Sequence, residues 1–307
     1  MTLRVTFLGT SGAVPTPTRN PAGIHVNREG TELLFDVGEG IQRQMMRTAT
    51  GFGLDYVLIT HLHGDHFYGL PGLLETLAFT DRDRPLTVVC PAERADRLER
   101  FVRTAMGDTP FPLRIAGLEP EAVVLRSDDF QVRTVRVQHD TRAIGYALVE
   151  DERPGRFDRE RALELGVPEG PLFGRLHRGE PVELEDGTVV EPDQVVGPPR
   201  PGRTLVYTGD TRPADGVVEA ATGAQLLIHD ATFGDDLATR AAETAHSTAR
   251  EAGRVARDAA VERLALVHTS PRYAGARDRL VAEAREAFDG EVVLPDDGDE
   301  LELAYPK

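Results

Sequence analysis

The sequence predicts an α/β fold of stacked layers, on three observations. Apolar, β-branched strand patterns alternate with helical ones. Four of those strands run into loops that carry His or Asp. One long stretch in the middle departs from the rhythm. Strands alternating with helices build sheets covered by helices, and loops at the carboxyl ends of such strands are where these sheets place their sites.

Taken in order, residues 1–10 read as a first strand and not as a cleavable leader. The strand at 56–59 runs into Thr60-His61, and that at 132–137 into Gln138-His139-Asp140. The strand at 204–207 leads to Thr208-Gly209-Asp210, and that at 264–267 to His268-Thr269-Ser270. Helical periodicity covers 70–79, 92–104, 248–263 and 278–288. Residues 151–203 are rich in Gly, Pro and charge and show little periodicity, which is long for a plain loop. They read as an arm or elaborated hairpin inserted into a domain that spans 1–307.

Composition narrows the classes. The chain has 307 residues, 40% of them apolar, enough for a full core. No apolar run approaches a membrane span, so no membrane partner and a cytoplasmic location are expected. The single Cys90 excludes an intrachain disulfide and reads as a buried strand residue. The formal charge is −16, with 35 basic against 51 acidic residues, and Lys307 is the only lysine. Such an acidic, lysine-poor surface resembles proteins of salt-loving organisms.

Chemistry concentrates in Thr60-His61-Leu62-His63-Gly64-Asp65-His66, which holds three of the nine histidines. Residues two apart in an extended segment share a side, so His61 and His63 can reach one metal. The turn at Gly64 then swings Asp65 and His66 toward a second position. Imidazole with carboxylate suits zinc, with manganese or iron as alternatives. His139, Asp210 and His268 stand at corresponding strand ends, and Asp210 is the candidate for bridging two ions. His246 precedes Thr248 and Glu251, which match a capping box at a helix start. Free N–H groups there favour phosphate, and the helix pole predicts a His246 that is neutral until an anion binds.

The segment THLHGDH resembles the HxHxDH signature of the metallo-β-lactamase superfamily. Within it, the chain resembles the tRNase Z family of tRNA 3′-processing endonucleases over nearly its whole length. FLGTSGAVPTPTRNPAG, DVGEGIQRQ, HDTRAIGY, YTGDT, IHDATF, AHST and HTSPRY follow in that family's order. The acidic composition suggests a halophilic archaeal member.

This resemblance implies a four-layer αβ/βα sandwich with a flexible inserted arm, the exosite, at 151–203. It implies two zinc ions per subunit. His61, His63 and His139 would hold one, Asp65, His66 and His268 the other, with Asp210 between them. Asp65 would accept a proton, and His246 would stabilise the transition state or protonate the leaving oxygen. His229 would be an orienting residue, and Asp230 stands where many members carry Glu. Arg19 and Asn20 would lie near the cleft. Arg175, His177 and Arg178, in a segment free of carboxylates, would grip precursor tRNA, which a homodimer would pass from one subunit's arm to the other's site. The rival readings are a metal-dependent phosphodiesterase for small or cyclic esters, a non-catalytic RNA-binding module, and a thioester or lactam hydrolase. The arm argues against the first, since a small ester needs no such clamp.

Overall fold

Alternation along the strands makes both faces of two sheets apolar, and this sets the layering. In the computed structural model, which describes residues 2–306, one sheet runs in the order Glu300–Glu302, Leu3–Gly9, Gly23–Arg28, Thr31–Phe35, Tyr56–Leu58, Leu86–Pro91, Leu113–Leu118. Met1 and Lys307 lie outside the described residues. Pairing is antiparallel up to Thr31–Phe35 and parallel beyond it. The second sheet runs Glu291–Val293, Arg263–Val267, Leu226–Asp230, Thr204–Tyr207, Ile144–Glu150, Phe130–Arg136, Val123–Arg126. Its first four strands are parallel.

Three apolar layers follow from these faces. Phe7, Leu33, Phe35 and Leu58 of the first sheet meet Tyr146, Leu205, Tyr207 and Ile228 of the second in one buried cluster. Phe35 packs its ring 5.7 Å from Tyr146 and 5.6 Å from Tyr207. The alternate residues Leu8, Leu34 and Val57 turn outward onto Ile41, Met45, Leu74 and Leu98 of the flanking helices. On the far side Val206, Leu227 and Leu264 pack against Val217, Ala252, Val255 and Leu280. The order is helix, sheet, sheet, helix. Burying one such Leu or Phe contributes about 1.5–3 kcal/mol, and the strands hold register because a one-residue slip would turn these side chains to the wrong layer.

Most elements fall where the periodicity puts them, with two departures. The helix read as 248–263 is capped by Thr248 but stops at Asp258. Ala260 adopts a left-handed φ of 52°, and Arg263 opens the strand whose Leu264 and Leu266 fill the outer layer. The stretch read as an arm or elaborated hairpin holds a hairpin of Val182–Glu183 with Val189–Val190, and beside it two helices without a readable period, Arg159–Glu164 and Pro171–His177. Glu150–Gly202, joined by Tyr305 and Pro306, forms a compact unit of its own. Ala162, Val167, Leu176, Val182, Val190 and Val195 form its buried cluster. Those apolar residues are scattered singly among Gly and Pro, so no window shows a helical or strand period. Cys90 is buried as expected, and burial pushes its thiol up to about 12. Among the described residues no helix is long and apolar enough to cross a membrane.

Candidate metal centre

The loops at the carboxyl ends of the strands bring His61, His63, Asp65, His66, His139, Asp210 and His268 together. His61 follows strand Tyr56–Leu58, and His63 caps the single turn Gly64–Phe67 that carries Asp65 and His66. Asp210 follows Gly209, which takes a φ of +59°. A Cβ there would lie 2.7 Å from Thr60, so a glycine is needed for the two loops to meet. His268 itself sits at a φ of 58°, an uncommon conformation for a non-glycine residue, held in place by the surrounding contacts.

Hydrogen bonds on the far side of each ring fix which nitrogen faces inward. His66 donates Nδ1–H to Asp36 (2.8 Å), and His139 donates Nδ1–H to the Ala245 carbonyl (2.9 Å). The Thr232 hydroxyl donates to Asp230 (2.6 Å) and so accepts Nδ1–H of His268 (2.8 Å). The Thr60 hydroxyl lies 2.9 Å from Asp36 and 3.0 Å from Nδ1 of His61, which gives it the same two roles. All four Nε2 atoms are therefore left with lone pairs, and they converge.

The spacing of those atoms is that of ligands around cations. Nδ1 of His63 lies 3.0 Å from Nε2 of His61 and 3.3 Å from Nε2 of His139. Asp210 turns Oδ2 toward His61 (3.7 Å) and His139 (3.9 Å), and Oδ1 toward His66 (3.3 Å) and His268 (3.4 Å). Oδ2 of Asp65 is 3.1 Å from His268 and 3.7 Å from His66. Donors about 2.0–2.2 Å from one ion sit roughly 3.0–3.5 Å from each other. Nε2 of His66 and Oδ1 of Asp210 are buried with no hydrogen-bond partner, a costly arrangement unless a cation completes it. The residues present fit a divalent metal.

Electrostatics point the same way. Burial pushes His61 well below the usual imidazole range, helped by His66. Burial would do the same to His66, but Asp210, Asp36 and Asp65 outweigh it and draw positive charge to that ring. Asp65 and Asp210, which burial alone would raise, are held well below the carboxylate range by the imidazoles around them.

The other candidate residues divide. His246 does precede a capping box, with Thr248 accepting from the Glu251 N–H. Its expected neutral state is overturned: burial lowers its pKa, but Asp230, 2.9 Å from Nδ1, raises it to about 9. A carboxylate in contact outweighs a helix pole. The shorter Asp230 thus reaches His246 without the extra methylene of Glu. His229 makes no hydrogen bond to any of the seven; its Nδ1 meets the Asp230 carbonyl at 2.8 Å, while its buried Nε2 has no hydrogen-bond partner. Asp230, not His229, organises the loop, accepting from Thr211, Thr232 and Ser247. Arg19 donates to Thr269 and the Pro295 carbonyl, and Asn20 to the Glu39 carbonyl. Within the second unit, Arg175 and Arg178 both pair with Glu180, one residue past the carboxylate-free segment, and His177 meets the Gly155 carbonyl.

Three residues at the centre lie in the motifs DVGEGIQRQ, THLHGDH and IHDATF but were given no role from sequence: Asp36, Thr60 and Thr232. Asp36 was legible in principle, because it follows strand Thr31–Phe35 as Asp210 follows its own.

Two packed mixed sheets with imidazoles and carboxylates gathered at their strand ends define the β-lactamase superfamily, and residues 31–157 match the description "Beta-lactamase superfamily domain". Ribonuclease Z of Halorubrum lacusprofundi is 59% identical over the whole of this chain and 99% of its own length. Ribonuclease Z of Haloferax volcanii is 57% identical over 99% of this chain and 96% of its own. The crystal structure of human tRNase Z, short form, superposes with a TM-score of 0.71 at 27% identity, covering 99% of this chain and all of that one. The chain belongs to the ribonuclease Z family.

Proposed function

We propose that the chain is a zinc-dependent endoribonuclease that removes the 3′ trailer from precursor tRNA, leaving a 3′-hydroxyl on the tRNA and a 5′-phosphate on the trailer. The observation that carries this reading is the division of donors about Asp210, one oxygen toward His61 and His139 and the other toward His66 and His268. His61, His63 and His139 would hold one zinc, Asp65, His66 and His268 a second, and Asp210 stands between the two groups. When bound, such a pair lowers the pKa of a water and neutralises charge on the phosphate.

The chain's own groups handle the protons. Asp65, held ionised and steadied by the Ala13 N–H at 2.9 Å, accepts the proton of the attacking water. As the P–O3′ bond breaks, His246 gives its proton to the departing 3′-oxygen. Asp230 and Thr232 occupy Nδ1 of that ring, so Nε2 is the nitrogen that faces substrate. Asp230 keeps His246 cationic, which makes it an acid and matches a product ending in a hydroxyl.

The unit Glu150–Gly202 would supply the RNA-gripping arm through Arg175, Arg178 and His177, in a homodimer where each arm serves the other subunit's site. Arg19 and Asn20 would act on substrate through the shape of the loop they hold. A labelled precursor tRNA incubated with and without chelator tests the reading. Chelator-sensitive cleavage to a single trailer product is expected. Hydrolysis of bis(p-nitrophenyl) phosphate with precursor tRNA left intact would favour a small-ester phosphodiesterase instead.

A further inference from the structure

The segment between Thr10 and Asn20 touches two of the seven donor residues. Its Ala13 N–H donates to Oδ2 of Asp65 at 2.9 Å. Gly12 packs against His268, where an added Cβ would come 2.5 Å from the backbone oxygen and 2.8 Å from Nδ1. Backbone bonds from Gly12 to Thr269 and from Thr269 to Thr10 lock the segment beside that histidine. What holds the segment in turn lies near the far end of the chain, in Pro295-Asp296-Asp297-Gly298-Asp299.

There Asp297 accepts three bonds, two from the loop and one from a helix. The Thr10 hydroxyl reaches Oδ1 at 2.7 Å, and the Asn20 N–H and the Gln44 amide reach Oδ2 at 2.6 and 2.8 Å. Thr10 and Asn20 are the two ends of the loop, so one carboxylate closes it like a clasp. Gln44 ties the clasp to helix Ile41–Thr48. Burial raises the pKa of Asp297, and the bonds from Asn20, Thr10 and Gln44 act against that rise by favouring the ionised acceptor.

We infer that Asp297 is a positioning residue for the hydrolytic reaction, setting Asp65 and His268 by clasping the ends of the Thr10–Asn20 loop. Without it, the Ala13 N–H drifts from Asp65, and that carboxylate loses the backbone donor that orients it. The proposal rests on the reading of Asp65 and His268 as working residues of the zinc site.

Asp297→Ala removes all three acceptor contacts. Asp297→Asn keeps them: its oxygen can face Asn20 and Gln44, while its amide donates to the Thr10 hydroxyl. Asp299→Ala is the control, since the Asp299 side chain accepts the Asp296 N–H within the same turn and its carbonyl bond from the Phe7 N–H survives the change. For each protein, the melting temperature, the kcat and KM on precursor tRNA, and the rate of zinc release to a chelator are measured. Asp297→Ala is expected to lose roughly 10–100-fold in kcat and to release zinc faster, with Asp297→Asn close to wild type. A rise in KM for precursor tRNA is expected beside it, because the same loop carries Arg19 and Asn20. A folded Asp297→Ala with wild-type kcat and zinc release overturns the inference, as does an equal loss in Asp299→Ala. If Asp297→Ala does not fold, Thr10→Val removes one clasp contact, and unchanged kcat and zinc release there overturn it. A wild-type protein that leaves precursor tRNA uncut would fail the functional proposal instead, and zinc release would still report on the clasp.

Discussion

Replacing Asp36 with Ala tests whether the imidazoles are set from behind. Asp36 is fully buried and accepts from the Thr60 N–H (2.7 Å), the Thr60 hydroxyl (2.9 Å), Nδ1–H of His66 (2.8 Å) and the Tyr207 hydroxyl (2.8 Å). The Thr60 hydroxyl can turn elsewhere, which leaves three buried donors. Each orphan costs about 1–3 kcal/mol, and a water entering the vacated space can serve two of them, so a net loss of about 2–4 kcal/mol is expected. That corresponds to roughly 3–6 °C in melting temperature for the metal-stripped protein. In the loaded protein the freed His66 ring is expected to weaken zinc binding about 10–100-fold, read by competition with a chromophoric chelator. A stripped Asp36→Ala protein that melts with wild type, or one that holds zinc as tightly, would refute the reasoning.

Other substitutions separate the remaining roles. Asp210→Asn is expected to lower zinc stoichiometry, measured by metal analysis of the folded protein, because one residue faces both donor groups. Thr232→Val keeps shape but removes the hydroxyl joining Asp230 to His268, and a kcat loss of roughly 10-fold with unchanged secondary structure is expected. Asp230→Ala strips His246 of the carboxylate that holds its proton; a fall of about 10²–10⁴-fold in kcat is expected, and wild-type kcat would remove His246 as the acid. Arg175→Ala with Arg178→Ala should leave the melting temperature unchanged, since both pair with one exposed Glu180, while KM for precursor tRNA rises.

What the sequence made legible follows from where information is local. His61, His63, Asp65 and His66 lie in one turn, and His139, Asp210 and His268 each end a readable apolar strand, so pattern alone gathers them as candidates. Asp36 also ends a readable strand, but its role is hidden because it is fixed by partners 24, 30 and 171 positions away. The charge state of His246 is hidden for the same reason: the capping box is local, whereas the contact with Asp230 comes from the neighbouring strand. Arg175 and Arg178 look free in sequence because the carboxylate-free run ends one residue before Glu180. Within 151–203 the two short helices were unreadable, since the unit's six buried apolar residues come one at a time.

The negative charge of this chain falls into two populations with different physics. Most of the carboxylates behind the net −16 are solvated, whereas Asp36, Asp65, Asp210 and Asp230 lie in and around the imidazole cluster, three of them at 2% exposure or less. Salt screens the first population, with a Debye length of about 3 Å at 1 M against about 10 Å at 0.1 M, and scarcely reaches the second. A basic RNA-binding surface would lose affinity steeply as salt displaces released counterions. Here long-range repulsion of RNA is what salt removes first, so KM for precursor tRNA should fall or stay level between 0.1 and about 1 M KCl. Zinc affinity should stay flat across the same range, because buried charges are screened far less than solvated ones. A KM that climbs log-linearly with salt would mean that exposed arginines, not shape and short-range hydrogen bonds, dominate recognition. A zinc affinity that falls in step with it would mean that the buried aspartates are not shielded from solvent as their burial requires.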